Sequence, residues 1–275
     1  MFEIKQTNRE EKERNGGYMI ANYHTHTYRC GHAEGDEREY VEQAVKAGIR
    51  ILGFSDHTPY DFFDSEPRNR PMRMKPEELP GYADSIRSLA EEFRDRIEIH
   101  LGVEAEYYPK YFPRLLEMLR ENAVEYMILG QHFLGNEIGE PYSGKLTEDE
   151  IALDRYVSQT IDGMQTGCFT YFAHPDLIRF AGSGRVYEKH MRKLCRAAKD
   201  LSIPLEINIL GLKTGRNYPD KRFWQIAAEE GNDVVLGVDA HEPLALADAH
   251  GVCEAQVFAE QLGLKPIEVL CLRDL

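Results

Sequence analysis

The chain carries ten histidines in 275 residues, and most of them gather with carboxylates at the ends of short apolar runs. His24 and His26 stand two apart in YHTHTYRCGH, and Asp56-His57 closes the run that begins at Ile51. Glu104 stands in GVEAEY, His132 in GQHF, and His174 with Asp176 in FAHPDL. Asp239 and His241 stand two apart in GVDAHEP. Imidazole with carboxylate suits Zn²⁺, Fe²⁺ and Mn²⁺, whereas sites for Mg²⁺ alone rarely use so many histidines. So many ligands exceed what one tetrahedral or octahedral ion takes. The pattern therefore implies a multinuclear centre, with a carboxylate such as Glu104 as the natural bridge. Any one of these histidines alone is as readily a hydrogen-bonded structural residue. The conjunction carries the argument: two His-x-His or Asp-x-His pairs, plus ligands at the ends of four further runs.

Such residues need a scaffold that brings distant chain segments together. Apolar runs at 19–26, 51–57, 97–107, 126–133, 169–174, 204–208 and 233–241 read as strands. Helical patterns at 37–47, 77–93, 147–164, 187–201 and 222–230 lie between them. Gly48 and Gly231 supply helix stops, and Thr147 with Glu150 has the spacing of a capping box. Regular strand–helix alternation implies a parallel sheet covered by helices, and seven such units suggest a closed barrel. A parallel barrel puts the C-terminal ends of its strands on one rim, where barrel enzymes place their active sites. Residues two apart on a strand share a face, so His24 and His26 point inward together, as do Asp239 and His241. Asp56 and His57 are adjacent and point oppositely. His57 is the expected ligand and Asp56 an orienting group behind the site.

Lys plus Arg is 33 and Asp plus Glu is 47, a net charge of −14. An acidic surface argues against a nucleic-acid platform, whose binding relies on Lys and Arg displacing counterions. It leaves room for a small phosphorylated substrate, because bound cations dominate the local field. No apolar run is long enough to span a bilayer, and the charged stretch 10–14 is unlike a signal peptide, so a cytoplasmic location is expected. Residues 1–17 read as a polar extension before a single domain over 18–275. The five cysteines form no C-x-x-C pair and suit free thiols in a reducing compartment. Cys30 either lines the metal site or packs as a small thiol.

Taken together, the motifs at 23–32, 53–59, 102–107, 130–133, 172–177, 205–208 and 237–243 resemble the PHP (polymerase and histidinol phosphatase) superfamily. The resemblance implies a distorted (βα)7 TIM-like barrel with a trinuclear metal centre. One ion would take His24, His26, Glu104 and Asp239. A second would take Glu104, His132 and His174, and a third His32, His57 and His241. His32 comes from the resemblance, since spacing alone leaves it in a loop. His100, His190 and His250 fall outside the pattern and read as structural or surface residues.

Within the superfamily, HPDLIRF (174–180) and EINILGLKTGRNYP (206–219) are similar to the histidinol-phosphate phosphatases. Those segments supply arginines for substrate phosphate there, which implies Arg179 and Arg216. Typical members read E-I-N-x-x-G-x-R. Here Lys213 stands at that arginine's place, with Arg216 three residues further on. The implied activity is hydrolysis of L-histidinol phosphate to L-histidinol and phosphate, a step of histidine biosynthesis. It would use two or three divalent transition ions (Zn, Fe or Mn), with a metal-bridging hydroxide attacking phosphorus. Asp61, Asp64 and Glu106 are candidates for an acidic pocket around the substrate's amine. Two readings compete: a PHP phosphoesterase for another small phosphorylated metabolite or nucleotide, and a non-catalytic metal-binding barrel. The second would have no need to keep every ligand.

Overall fold

The computed structural model describes residues 17–60 and 72–275. Eight parallel strands lie among them, hydrogen-bonded in chain order. They are β1 (Ala21–Asn22), β2 (Ile51–His57), β3 (Glu98–Ala105), β4 (Tyr126–Leu129), β5 (Phe169–Phe172), β6 (Leu205–Asn208), β7 (Val234–Gly237) and β8 (Pro266–Ile267). The sheet curls until the segment after β1 meets the segment after β7. There His26 N donates to Ala240 O at 2.9 Å and Ala240 N to His24 O at 3.1 Å. β8 instead pairs with the start of β7, Val234 opposite Pro266. The architecture is thus a distorted (βα)7 barrel joined at its C-terminal rim, with a short eighth strand wedged at the other end. Two residues of strand leave no periodic signal, so the sequence alone gave only seven.

The helices are α1 (Glu37–Ala47), α2 (Leu79–Phe93), α3 (Phe112–Glu121), α4 (Glu150–Gln165), α5 (Gly184–Asp200), α6 (Ile209–Thr214), α7 (Lys221–Glu230) and α8 (Ala249–Gln261). Asp36 and Glu39 form a reciprocal capping box at the start of α1. Gly48 and Gly231 end α1 and α7 in the left-handed conformation, as the sequence indicated. The capping box expected at Thr147 does not form: Asp149 caps α4 by accepting from Ile151 N. Thr147 is drawn off because its backbone bridges to the 179–181 segment, with Thr147 N donating to Arg179 O at 3.0 Å.

The main core lies between the sheet and the helices, where Leu52, Phe54, Leu101 and Phe172 are fully buried. A second cluster fills the barrel interior beneath the rim and contains Tyr23, Tyr126, Ile128 and Tyr171. Tyr126 needs the room left by two glycines, since a β-carbon on Gly53 or Gly102 would overlap its ring or hydroxyl. In this aromatic floor Tyr126 Oη donates to Tyr23 O and to Phe54 O, both at 2.9 Å. At the start of the described chain, Gly17 N donates to Ala249 O at 3.0 Å, and a β-carbon on Gly17 would collide with Cys253 N of α8. Residues 1–16 of the expected extension lie outside the described residues. The five cysteines are all free, and no described helix is long and apolar enough to cross a membrane.

A candidate metal centre on the C-terminal rim

Each ligand expected from the sequence sits in or just after a strand's C-terminal end, apart from His32. His24 and His26 follow β1, His57 ends β2, and Glu104 lies near the end of β3. His132, His174 and the Asp239/His241 pair follow β4, β5 and β7. His32 follows a 3-10 turn at Tyr28–Cys30. His24, His26, His57, Glu104, His132, His174 and Asp239 are buried, His241 is half-buried and His32 is exposed. His174 and Asp239 have φ of +32° and +54°, a conformation costing non-glycine residues on the order of 1–3 kcal/mol, and such strain concentrates at functional sites.

The structure brings these nine residues together. His24 Nε2 stands 3.1 Å from His26 Nε2, 3.4 Å from Asp239 Oδ1 and 3.7 Å from Glu104 Oε2. His26 Nε2 stands 3.2 Å from Asp239 Oδ1 and 3.6 Å from Glu104 Oε2. Ligand atoms about 2.0–2.1 Å from a tetrahedral ion stand about 3.3–3.4 Å from one another, and these five separations bracket that edge. Glu104 divides its two oxygens. Oε1 faces His174 Nε2 at 2.9 Å and His132 Nε2 at 3.4 Å. Oε2 faces His57 Nδ1 at 3.1 Å, together with His24 and His26. This is the disposition of a bridging carboxylate. A β-carbon on Gly130 would overlap Oε1, so only glycine admits the side chain there. Toward solvent, His241 Nε2 lies 3.0 Å from His32 Nε2, and His26, His57 and His241 offer ligand atoms to one common position.

The electrostatics ask for cations. Glu104, Asp239 and Glu206 are buried carboxylates with no Lys or Arg partner among the described residues. Glu104 Oε2 has no hydrogen-bond donor although it is buried. Burial works against charge on His24, yet Glu206, Asp239 and Glu104 hold its pKa well above the ordinary imidazole value. Burial opposes His26 likewise, but Asp239 and Asp56 raise it to about 9. Burial would raise the Glu104 carboxyl, yet His132, His57 and His24 hold it well below the usual range. Asp239 is depressed in the same way, chiefly by His24 and His241. Burial pushes His57 well down and, with His241, lowers His32. The donor set of seven imidazoles and two carboxylates fits Zn²⁺ or a similar borderline ion.

A further ring of side chains holds the ligands. Asp56 Oδ1 stands 3.5 Å from His26 Nδ1, and Asp56 Oδ2 accepts from Thr27 Oγ1 at 2.6 Å. Asp56 therefore sits behind His26, where the sequence put an orienting group. Glu106 accepts from His132 Nδ1 at 2.8 Å and from Arg73 Nη2 at 2.5 Å. Glu106 is buried and does not line the cavity over the centre, whereas Asp61 and Asp64 lie outside the described residues. Asp176 is not in the cluster: its carboxylate accepts from Asp220 N at 2.5 Å and Trp224 Nε1 at 3.0 Å, and burial pushes its pKa up to about 7. Cys30 lies near His26 and Asp56. Burial pushes its thiol up, however, and Sγ donates to Thr27 O, so it packs as a thiol. His100, His190 and His250 pair with nearby glutamates instead.

Over the centre lies a cavity lined by His32, His57, His132, Arg179, Arg216 and Tyr218, among others. Arg179 is exposed, and its side chain has no acidic partner among the described residues. Arg216 Nη1 donates to Tyr218 Oη at 2.7 Å. Lys213 is turned to Asp248, with Nζ 2.5 Å from Oδ2, and does not line this cavity. The residues that sequence reasoning passed over are Glu206, Asn208, Arg73 and Glu137. Glu206 and Asn208 carried a signal, polar residues two apart in LEIN, whereas Arg73 and Glu137 meet only through the fold.

Residues 22–209 match the family described as PHP domain. A Deinococcus radiodurans protein named "Probable histidinol-phosphatase" is 32% identical over 244 residues, covering 82% of this chain and 87% of that protein. A Schizosaccharomyces pombe protein of the same name is 26% identical, covering 82% and 81%. Among solved structures, the Lactococcus lactis histidinol phosphate phosphatase complexed with zinc, L-histidinol and phosphate superposes with a TM-score of 0.69 at 20% identity. That likeness covers 92% of this chain and 99% of the other, and it bears on the fold. The chain belongs to the PHP domain family.

Proposed function

We propose that this member of the PHP domain family is a metal-dependent phosphomonoesterase that hydrolyses L-histidinol phosphate to L-histidinol and phosphate. The observation that carries the reading is Glu104, whose two oxygens face two separate histidine sets beneath a cavity bearing Arg179 and Arg216. The name of the relative at 32% identity supports the choice of substrate. Two or three ions of zinc, iron or manganese would be held by His24, His26, His32, His57, Glu104, His132, His174, Asp239 and His241. Such ions neutralise phosphoryl oxygens and bring the pKa of a bound water from about 15.7 toward 7.

The chain's own part is to place the phosphate and to keep the ligands in the right protonation state. Arg179 and Arg216 reach into the cavity from beyond the ligands, where they can grip phosphoryl oxygens by charge-assisted hydrogen bonds. Tyr218 holds the Arg216 guanidinium by its hydroxyl. Asp56, Glu106 and Glu206 each lie behind a ligand histidine and orient its ring. The acidic chain offers no platform for nucleic acid, and the activity would belong to histidine biosynthesis in the cytoplasm. A panel of phosphomonoesters, run with elemental analysis, tests the proposal: L-histidinol phosphate should show the highest kcat/KM. If it is ignored while other phosphoesters are cleaved, the substrate assignment falls and the phosphatase reading stands.

A further inference from the structure

We infer that Glu206 and Asn208, neither of them a metal ligand, form a buried clamp that sets the tautomer of His24 and the orientation of Asp239. The inference rests on the metal centre proposed above and assigns positioning residues to one of its ions. Both lie on β6, two residues apart and therefore on one face, and both are essentially inaccessible to solvent. Glu206 Oε2 stands 2.8 Å from His24 Nδ1. A carboxylate only accepts, so Nδ1 carries the proton and Nε2 is left with its lone pair toward His26 and Asp239. The other carboxylate oxygen, Oε1, accepts from Asn208 Nδ2 at 2.7 Å.

Asn208 cannot turn its amide over. Its Oδ1 accepts from Gly211 N at 2.8 Å and caps α6, so the amino group must face the carboxylates. From there Nδ2 also reaches Asp239 Oδ2 at 3.1 Å, leaving Oδ1 of Asp239 toward His24 and His26. One asparagine thus ties together the carboxylate behind His24 and a second ligand of the same ion. The barrel makes room for this: a β-carbon on Gly237 of β7 would overlap the Glu206 carboxylate. A buried carboxylate without a Lys or Arg partner is costly, and its place is explained by a histidine that holds a cation on its far side.

Glu206→Gln breaks the logic with little change of shape. Its amide must point an N–H either at the Asn208 amino group or at His24 Nδ1, and the second choice moves the proton of His24 onto Nε2. The full-length chain, loaded with Zn²⁺ alone, would be titrated with a competing chelator and its zinc counted by elemental analysis. The expected result is about 10- to 100-fold weaker retention of one zinc ion, with the other ions and the melting temperature of the metal-free chain unchanged. Gly237→Ala should weaken the same ion by displacing Glu206 without removing any ionisable group. It stands in if the first variant does not fold. Wild-type zinc retention in both variants overturns the inference, as does a lowered metal-free melting temperature with unchanged retention. Glu104→Gln separates the two levels: if it also keeps all its zinc, the metal centre itself is refuted, and if it loses zinc while the Glu206 and Gly237 variants do not, only the clamp falls.

Discussion

Arg216 offers a graded test because the structure shows both what it faces and what holds it. Its guanidinium lines the cavity over the centre and donates to Tyr218 Oη at 2.7 Å. A charge-assisted hydrogen bond to a phosphoryl oxygen is worth about 1.5–3 kcal/mol, which is roughly ten- to a hundredfold in kcat/KM. Arg216→Ala should lose that much while keeping its full complement of metal, since Arg216 is no ligand. Tyr218→Phe removes only the group that orients the guanidinium, a hydrogen bond worth about 0.5–1.5 kcal/mol or roughly two- to tenfold. Because Tyr218 acts through Arg216, the double variant should be no worse than Arg216→Ala alone, so the two losses should not add. The assay is steady-state hydrolysis of L-histidinol phosphate with metal analysis of each preparation. The reasoning is refuted if Arg216→Ala keeps wild-type kcat/KM, or if the two losses are fully additive.

Three further outcomes follow from named contacts. Lys213 pairs with Asp248 away from the cavity, so Lys213→Ala should leave kcat/KM within about twofold; a loss like that of Arg216→Ala would place the phosphate contact at Lys213 instead. Folded Asp176 holds its proton up to about pH 7, whereas an unfolded aspartate titrates near 3.9. Between those values the folded chain binds more protons, so this group's contribution to stability is complete below about pH 4 and is lost as pH rises toward 7. Asp176→Asn keeps an oxygen that can accept from Asp220 N and Trp224 Nε1, and it should remove that part of the melting-temperature profile of the metal-free chain. Identical wild-type and variant profiles would contradict the assignment. Gly102→Ala drives a β-carbon into the Tyr126 ring and should cost about 1–3 kcal/mol, seen as a melting temperature lower by roughly 2–4 °C per kcal/mol. An unchanged melting temperature would mean that the aromatic floor can shift.

Much of the site was legible because a parallel barrel converts sequence position into spatial position. His24, His26, His57, Glu104, His132, His174, Asp239 and His241 all ended apolar runs, and the fold needs only to close for them to meet. Asp176 satisfied the same rule and is turned aside by Asp220 and Trp224, contacts made across 44 and 48 residues that no local pattern encodes. Arg73 is similar: its partners Glu106 and Glu137 lie 33 and 64 residues away. α3, α6 and α8 escaped notice among the expected helices. α6 has only six residues, too few for a periodic signal, and depends on the cap from Asn208. The glycines at 53, 102, 130 and 237 show nothing of their role in a linear reading, yet each clears space for a tyrosine or glutamate from another strand.

The most direct measurement is the metal content of the wild-type chain and of Glu104→Gln, taken with the rate of L-histidinol phosphate hydrolysis before and after chelation. Glu104 joins two ligand sets, so the account predicts two or three transition ions per wild-type chain and the loss of more than one in the variant. Activity should vanish with chelation and return when zinc, iron or manganese is restored. A metal-free wild-type preparation that hydrolyses the substrate at full rate would contradict it.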